Sequence, residues 1–147
     1  MKLLLDTCVL ADFYLQREQF SENVNVIAAA GICNDVELWA SAKSYTDIFY
    51  VGKKSFKPEV LQNAFLESFN FIHVCSIEKE DLISAASDCW PDFEDCLIYK
   101  SAVKINANYI VTRDVKGFTL SNIKTASPHE IVNLFAKRGL KYENAQI

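Results

Sequence analysis

The feature that most constrains this chain is a set of short apolar runs, each parted from the next by residues of helical periodicity. Lys2–Leu5 is the clearest, because after its first residue it is continuously apolar rather than alternating, the mark of a strand buried on both faces. Glu37–Ala40, Phe71–Cys75 and Tyr109–Thr112 read as further strands, and Ile123–Thr125 as a final edge strand. Thr7–Leu15 reads as a helix with Val9, Leu10, Phe13 and Tyr14 on one face. A second helix runs from an N-cap at Ser21 to Ala30, with Gly31 as its stop. Ser41 is placed to cap a third helix that reaches Val51, before Gly52 and the Lys53–Lys54 pair. Glu59–Ser68 opens on Pro58, and Glu78–Ser87 follows the third strand. Phe93–Ile105 follows the break at Trp90-Pro91-Asp92, and a last helix runs from Pro128 to Lys137. Gly139–Ile147 is polar and expected to fray. Strands alternating with helices imply an α/β fold whose mainly parallel sheet is covered by helices on both faces.

The chain has 147 residues, half of them hydrophobic, enough for one domain with a real core. Residues 1–136 are read as that domain and 137–147 as a C-terminal tail. A net charge of −4 lacks the basic footprint of many nucleic-acid binders, yet leaves a nuclease open, since a bound cation offsets acidic residues. The five cysteines are odd in number and form no CxxC pair, which reads as reduced thiols in a cytoplasmic protein. His73 and His129 have no zinc-like spacing to them. The apolar run in MKLLLDT is too short for a signal peptide, and no stretch approaches a membrane span, so no membrane partner is expected.

Four acids carry the chemistry. Asp6 ends the first strand, Asp47 lies in the otherwise apolar third helix, Asp95 opens a later helix, and Asp114 follows the fourth strand. Singly, each has an ordinary explanation: Asp caps helices, compensates helix dipoles and favours turns. Together they fall where a parallel sheet would gather them, and gathered carboxylates repel unless a cation lies between them. Asp95 shares a helical stripe with Ile98, Ala102 and Ile105 and so faces the core. Asp92 lies one turn earlier on that line, as a cap or a holder of an outer water, and Glu94 is rotated away by about 100°. Thr112 is positioned to orient a neighbouring carboxylate. Lys53, Lys54 and Arg113 are weak candidates for phosphate contacts, as are Lys100 and Lys104. The first strand leads into Asp6-Thr7-Cys8 rather than a glycine-rich turn, which disfavours dinucleotide binding. A phosphate-accepting receiver module is disfavoured too, because Leu4 and Leu5 stand where a second acid is needed and no Lys follows Val111 closely.

The ordered pieces Leu4-Leu5-Asp6-Thr7-Cys8, Ser41 through Thr46-Asp47-Ile48, Asp92-Phe93-Glu94-Asp95-Cys96 and Ile110-Val111-Thr112-Arg113-Asp114 make the chain resemble a PIN domain over about residues 2–136. That resemblance implies a three-layer α/β/α sandwich and a metal-dependent endoribonuclease with Asp6, Asp47, Asp95 and Asp114 as ligands and catalytic residues. It implies Mg²⁺ or Mn²⁺ as cofactor, in keeping with hard oxygen donors, and RNA as substrate. It further implies the toxin role of VapC-type members, with a protein antitoxin as partner and a homodimer as a candidate assembly. Phe13, Tyr14, Phe49, Tyr50 and Phe56 are the aromatic residues open to such an interface or to the core. The chain departs from the family pattern at Cys8, where Asn is usual and would orient Asp6, and at Asp47, where Glu is common. Those departures keep a second expectation alive, a weak or inactive PIN-like protein-binding scaffold.

Overall fold

The computed structural model describes residues 1–142, with strands β1 (Lys2–Leu5), β2 (Glu37–Ser41), β3 (Ile72–Cys75), β4 (Tyr109–Val111) and β5 (Lys124–Ala126). Its helices are α1 (Thr7–Tyr14), α2 (Glu18–Ile32), α3 (Ala42–Gly52), α4 (Pro58–Ser68), α5 (Lys79–Asp88), α6 (Phe93–Lys104) and α7 (Pro128–Lys137). The strands form one sheet, ordered β3-β2-β1-β4-β5, and every neighbouring pair is parallel. Successive side chains along a strand face opposite sides. Leu3 and Leu5 therefore enter one core with Val9 and Leu10 of α1, Ile27 of α2, Ile48 of α3, and Ile131 and Phe135 of α7. Leu4 enters a second core with Ile98 and Ala102 of α6, Ile110 and Phe118. The result is the expected three layers, with α5 packed on α6 on one side of the sheet and α4 packed on α3 on the other.

The chain builds the sheet outward from β1 to β3, then returns to lay β4 and β5 along β1's other edge. The carboxyl ends of β1 and β4 thus flank the point where strand order reverses, where open α/β sheets leave a crevice.

Several local readings shift. α2 begins at Glu18, ahead of Ser21, whose hydroxyl instead donates to the Glu18 carbonyl. The cause is local: the Arg17 N–H already donates to the Asp12 carbonyl, and Gln16 takes a φ of 48°, turning the chain early. Gly31 does not stop α2. It lies inside the helix, where a Cβ would collide with the Leu38 side chain, so its smallness seats α2 on β2. Ser41 occupies the N-cap position of α3, but its hydroxyl caps nothing and is buried without a hydrogen-bond partner. A 3₁₀ turn, Val115–Phe118, follows β4 where no element was expected. Of the segment expected to fray, Leu140 and Tyr142 pack on the first core, and the Tyr142 hydroxyl donates to Asp35 at 2.6 Å. Residues 143–147 lie outside the described residues. No helix among the described residues is long and apolar enough to cross a membrane.

Ile98 is completely buried and joins α6 to the sheet. Ile98→Ala should cost about 2–5 kcal/mol of stability, read from urea unfolding, because it opens a cavity that rigid neighbours cannot fill.

Candidate active site

Asp6 leaves β1 as the N-cap of α1, accepting a hydrogen bond from the Thr7 N–H at 2.7 Å. Its other oxygen, Oδ2, accepts from the Thr112 hydroxyl at 2.8 Å and from the Cys8 thiol at 3.2 Å. Burial pushes the Asp6 carboxyl above its ordinary value, against these hydrogen bonds, which favour the ionised form. Burial, and then the Asp6 charge, push the Cys8 thiol up to about 11, so at neutral pH it keeps the proton it donates. The thiol therefore supplies an orienting bond at the position where the family usually has Asn.

Thr112 is fully buried and sits where β4 ends. Its Oγ1 donates to Asp6 while accepting from the Asp114 N–H at 2.9 Å. One hydroxyl thus couples the acids that follow β1 and β4. Asp114 in turn caps the 3₁₀ turn, accepting from the Gly117 N–H at 3.2 Å. A Cβ on Gly117 would collide with Asp95 Oδ2 and lie 3.4 Å from Asp114 Oδ2, so both carboxylates crowd onto this glycine. Asp92 caps α6 by accepting from the N–H groups of Glu94 and Asp95. Its stripe partners Ile98, Ala102 and Ile105 are all buried, which turns Asp95 inward. The Asp95 carboxyl is raised to about 6, first by burial and then by the charges of Asp92, Asp6, Asp114 and Glu94.

Asp6, Asp95 and Asp114 therefore come together, and Asp92 stands beside them. Asp47 has different company. It is salt-bridged to Lys43, four residues earlier on α3, and it is not among the main charges acting on Asp6 or Asp95. Glu94, which helical phase alone turns away, reaches back: its carboxylate lies 2.9 Å from the Lys43 ammonium, and its charge bears on both Asp6 and Asp95. Single-helix phase missed it because Lys43 belongs to another helix.

Asp12 is the other residue that sequence reading passed over. It is fully buried on α1. Arg17 donates to its Oδ1 at 3.2 Å, and Arg113 Nε stands 2.7 Å from Oδ2 as an ion pair. Arg113 also lies over the Phe20 ring, 4.0 Å from its centre. Arg113 is thereby committed to holding the loop after β4 against α1 and α2. The signal existed, since an acid amid Leu10, Ala11, Phe13 and Tyr14 needs a partner at least as much as Asp47 does. Lys53 and Lys54 lie over the Tyr50 ring at the far end of α3, about 15 Å along the helix from the crevice. Lys100 and Lys104 pair with Asp88 and Asp81. Of the aromatic residues considered for an interface, Tyr14 is core, Phe13, Phe49 and Phe56 are half-buried, and Tyr50 is exposed.

Among the described residues, no three His, Cys, Asp or Glu side chains already stand arranged to hold a metal ion. The donor set nonetheless fits a hard divalent cation in kind. All its oxygens are carboxylate, and burial together with neighbouring charges raises the Asp95 carboxyl, the charge part of which a cation would relieve.

An all-parallel sheet with carboxylates crowded at the carboxyl ends of two adjoining strands defines an α/β/α protein with an acidic crevice at its switch point. The model of the PIN domain family matches residues 2–116, and the chain belongs to that family. No curated protein matches it in sequence. Among solved structures, the chain is similar to VapBC2 from Rickettsia felis bound to a DNA fragment from its promoter. That match has 16% identity and a TM-score of 0.62, covering 86% of this chain and 98% of that one. It is similar to VapBC-1 from nontypeable Haemophilus influenzae, at 15% identity and a TM-score of 0.63, covering 88% and 99%. It is also similar to FitAcB from Neisseria gonorrhoeae, at 20% identity and a TM-score of 0.57, covering 86% and 98%. At these identities the likeness establishes the fold.

Raised carboxyl pKa values have a stability consequence. Between about 6 and its ordinary value of 3.8, Asp95 binds a proton in the folded chain but not in the unfolded one. Folding is therefore penalised above about pH 6 and relieved as pH falls below it. In EDTA, the melting temperature should rise from pH 7 to pH 5, and Asp95→Asn should flatten that rise. A wild-type melting temperature that drops steadily over this range would contradict the crowding.

Proposed function

We propose that this chain is a divalent-metal-dependent endoribonuclease acting in the cytoplasm as the toxin of a toxin–antitoxin pair. The observation that carries this reading is the crowding of Asp95 and Asp114 onto Gly117, with Thr112 joining Asp6 to the Asp114 backbone, at the switch point of a PIN domain. Asp6, Asp95 and Asp114 are assigned as the residues that hold Mg²⁺ or Mn²⁺, with Asp47 at the margin. An ion held there would supply a nucleophile at neutral pH and offset negative charge on the phosphate. The protein's own contribution is positional. Thr112 and Cys8 fix the Asp6 carboxylate, Asp92 sets the first turn of α6 so that Asp95 faces inward, and Gly117 leaves room for Asp95 beside Asp114. Single-stranded or looped RNA suits the crevice, since its backbone is accessible without a duplex to open. Structural neighbours determined as VapBC and FitAB assemblies on DNA support a protein antitoxin as partner. A homodimer is part of the same reading.

A second reading is a weakly active or inactive PIN-like scaffold that binds protein. It is favoured by the hold of Lys43 on Asp47.

Purified protein should cleave RNA with Mg²⁺ or Mn²⁺ and lose that activity in EDTA. Asp6→Asn and Asp95→Asn should each lower cleavage about a hundredfold or more. Equal cleavage by wild type and both variants would remove the nuclease reading. Absence of both cleavage and calorimetric Mn²⁺ binding at millimolar concentration would select the scaffold.

A further inference from the structure

Lys43 stands at the second position of α3, a helix with no acidic residue in its first turn. A cation there opposes the positive end of the helix dipole, so the position is unfavourable without compensation. Compensation comes from two carboxylates on different elements. Asp47 approaches from the next turn of α3, and Glu94 Oε1 lies 2.9 Å away on the first turn of α6. The Lys43 side chain is only 25% exposed, so this charge is partly withdrawn from water rather than loosely screened. Glu94 also acts on Asp6 and Asp95. Through Glu94 the ammonium is therefore tied to the acidic crevice, and it holds Asp47 and Glu94 together across α3 and α6.

We propose that the Lys43 ammonium takes the place of a second divalent cation between Asp47 and Glu94, and so restricts the site to one ion held by Asp6, Asp95 and Asp114. A fixed positive charge repels a further dication, and the carboxylates it engages are those such an ion would need. Two-ion sites clamp the attacking and leaving oxygens symmetrically.

This inference rests on the metal reading above, and ion counting separates the two. The full chain is titrated with Mn²⁺, with bound ion followed by electron paramagnetic resonance and calorimetry. Wild type should bind one Mn²⁺. Lys43→Met keeps the aliphatic stem and should bind two, the second at least tenfold more tightly than any second ion in wild type. Lys43→Arg keeps the charge and should remain at one. Circular dichroism and melting temperature establish that each variant is folded. Two ions of comparable affinity in wild type, or no second ion in folded Lys43→Met, would overturn the role of Lys43 and leave the metal reading standing. No ion in any form would overturn both.

Discussion

Burial of β1 on both faces is the constraint on which the rest depends. Leu3 and Leu5 on one side and Leu4 on the other are each almost wholly excluded from water. A strand apolar on both faces belongs in the middle of a sheet with helices above and below. That central position leaves β1 two parallel neighbours, and it fixes where the chain emerges as Asp6. The β1–β4 register sets Leu5 beside Val111, so Asp6 and Thr112 leave the sheet side by side, and Thr112 reaches across to Asp6. Position in the sheet thus becomes position in the crevice.

Gathering acids there has an electrostatic cost, and the chain distributes the compensation. Thr112 and Cys8 stabilise the ionised form of Asp6 through hydrogen bonds. Asp92 is satisfied by the helix N-terminus it caps. Lys43 answers Asp47 and Glu94, and the two arginines answer the fully buried Asp12 nearby. Among the described residues, Asp95 has no comparable partner. Burial first, and then the charges of Asp92, Asp6, Asp114 and Glu94, raise its proton affinity.

Much of this was legible in the residues alone, for physical reasons. Short apolar runs alternating with helical stripes reported the layers. The inward phase of Asp95 followed from Ile98, Ala102 and Ile105 sharing its stripe, and all three are buried. The position of Thr112 beside a strand-end acid foretold its hydrogen bond to Asp6. The misreadings share one cause. Ser21, Gly31 and Ser41 have side chains or conformations suited to helix ends. Their roles were decided instead by Asp12 holding Arg17, by Leu38 packing on α2, and by the burial of the Ser41 hydroxyl.

The sequence by itself determined the parallel α/β class, the burial of β1 on both faces and the identity of the strand-end acids, because periodicity and local propensity act within a few residues. Tertiary structure alone decided which acids meet. Asp47 pairs with Lys43, Glu94 is drawn back toward the crevice, Arg113 is bound to Asp12, and Gly117 makes room for Asp95. Apart from the local Asp47–Lys43 pair, each of those outcomes turns on a distance between groups far apart along the chain. Such distances arise only when the layers pack, and a linear pattern of residue types does not encode them.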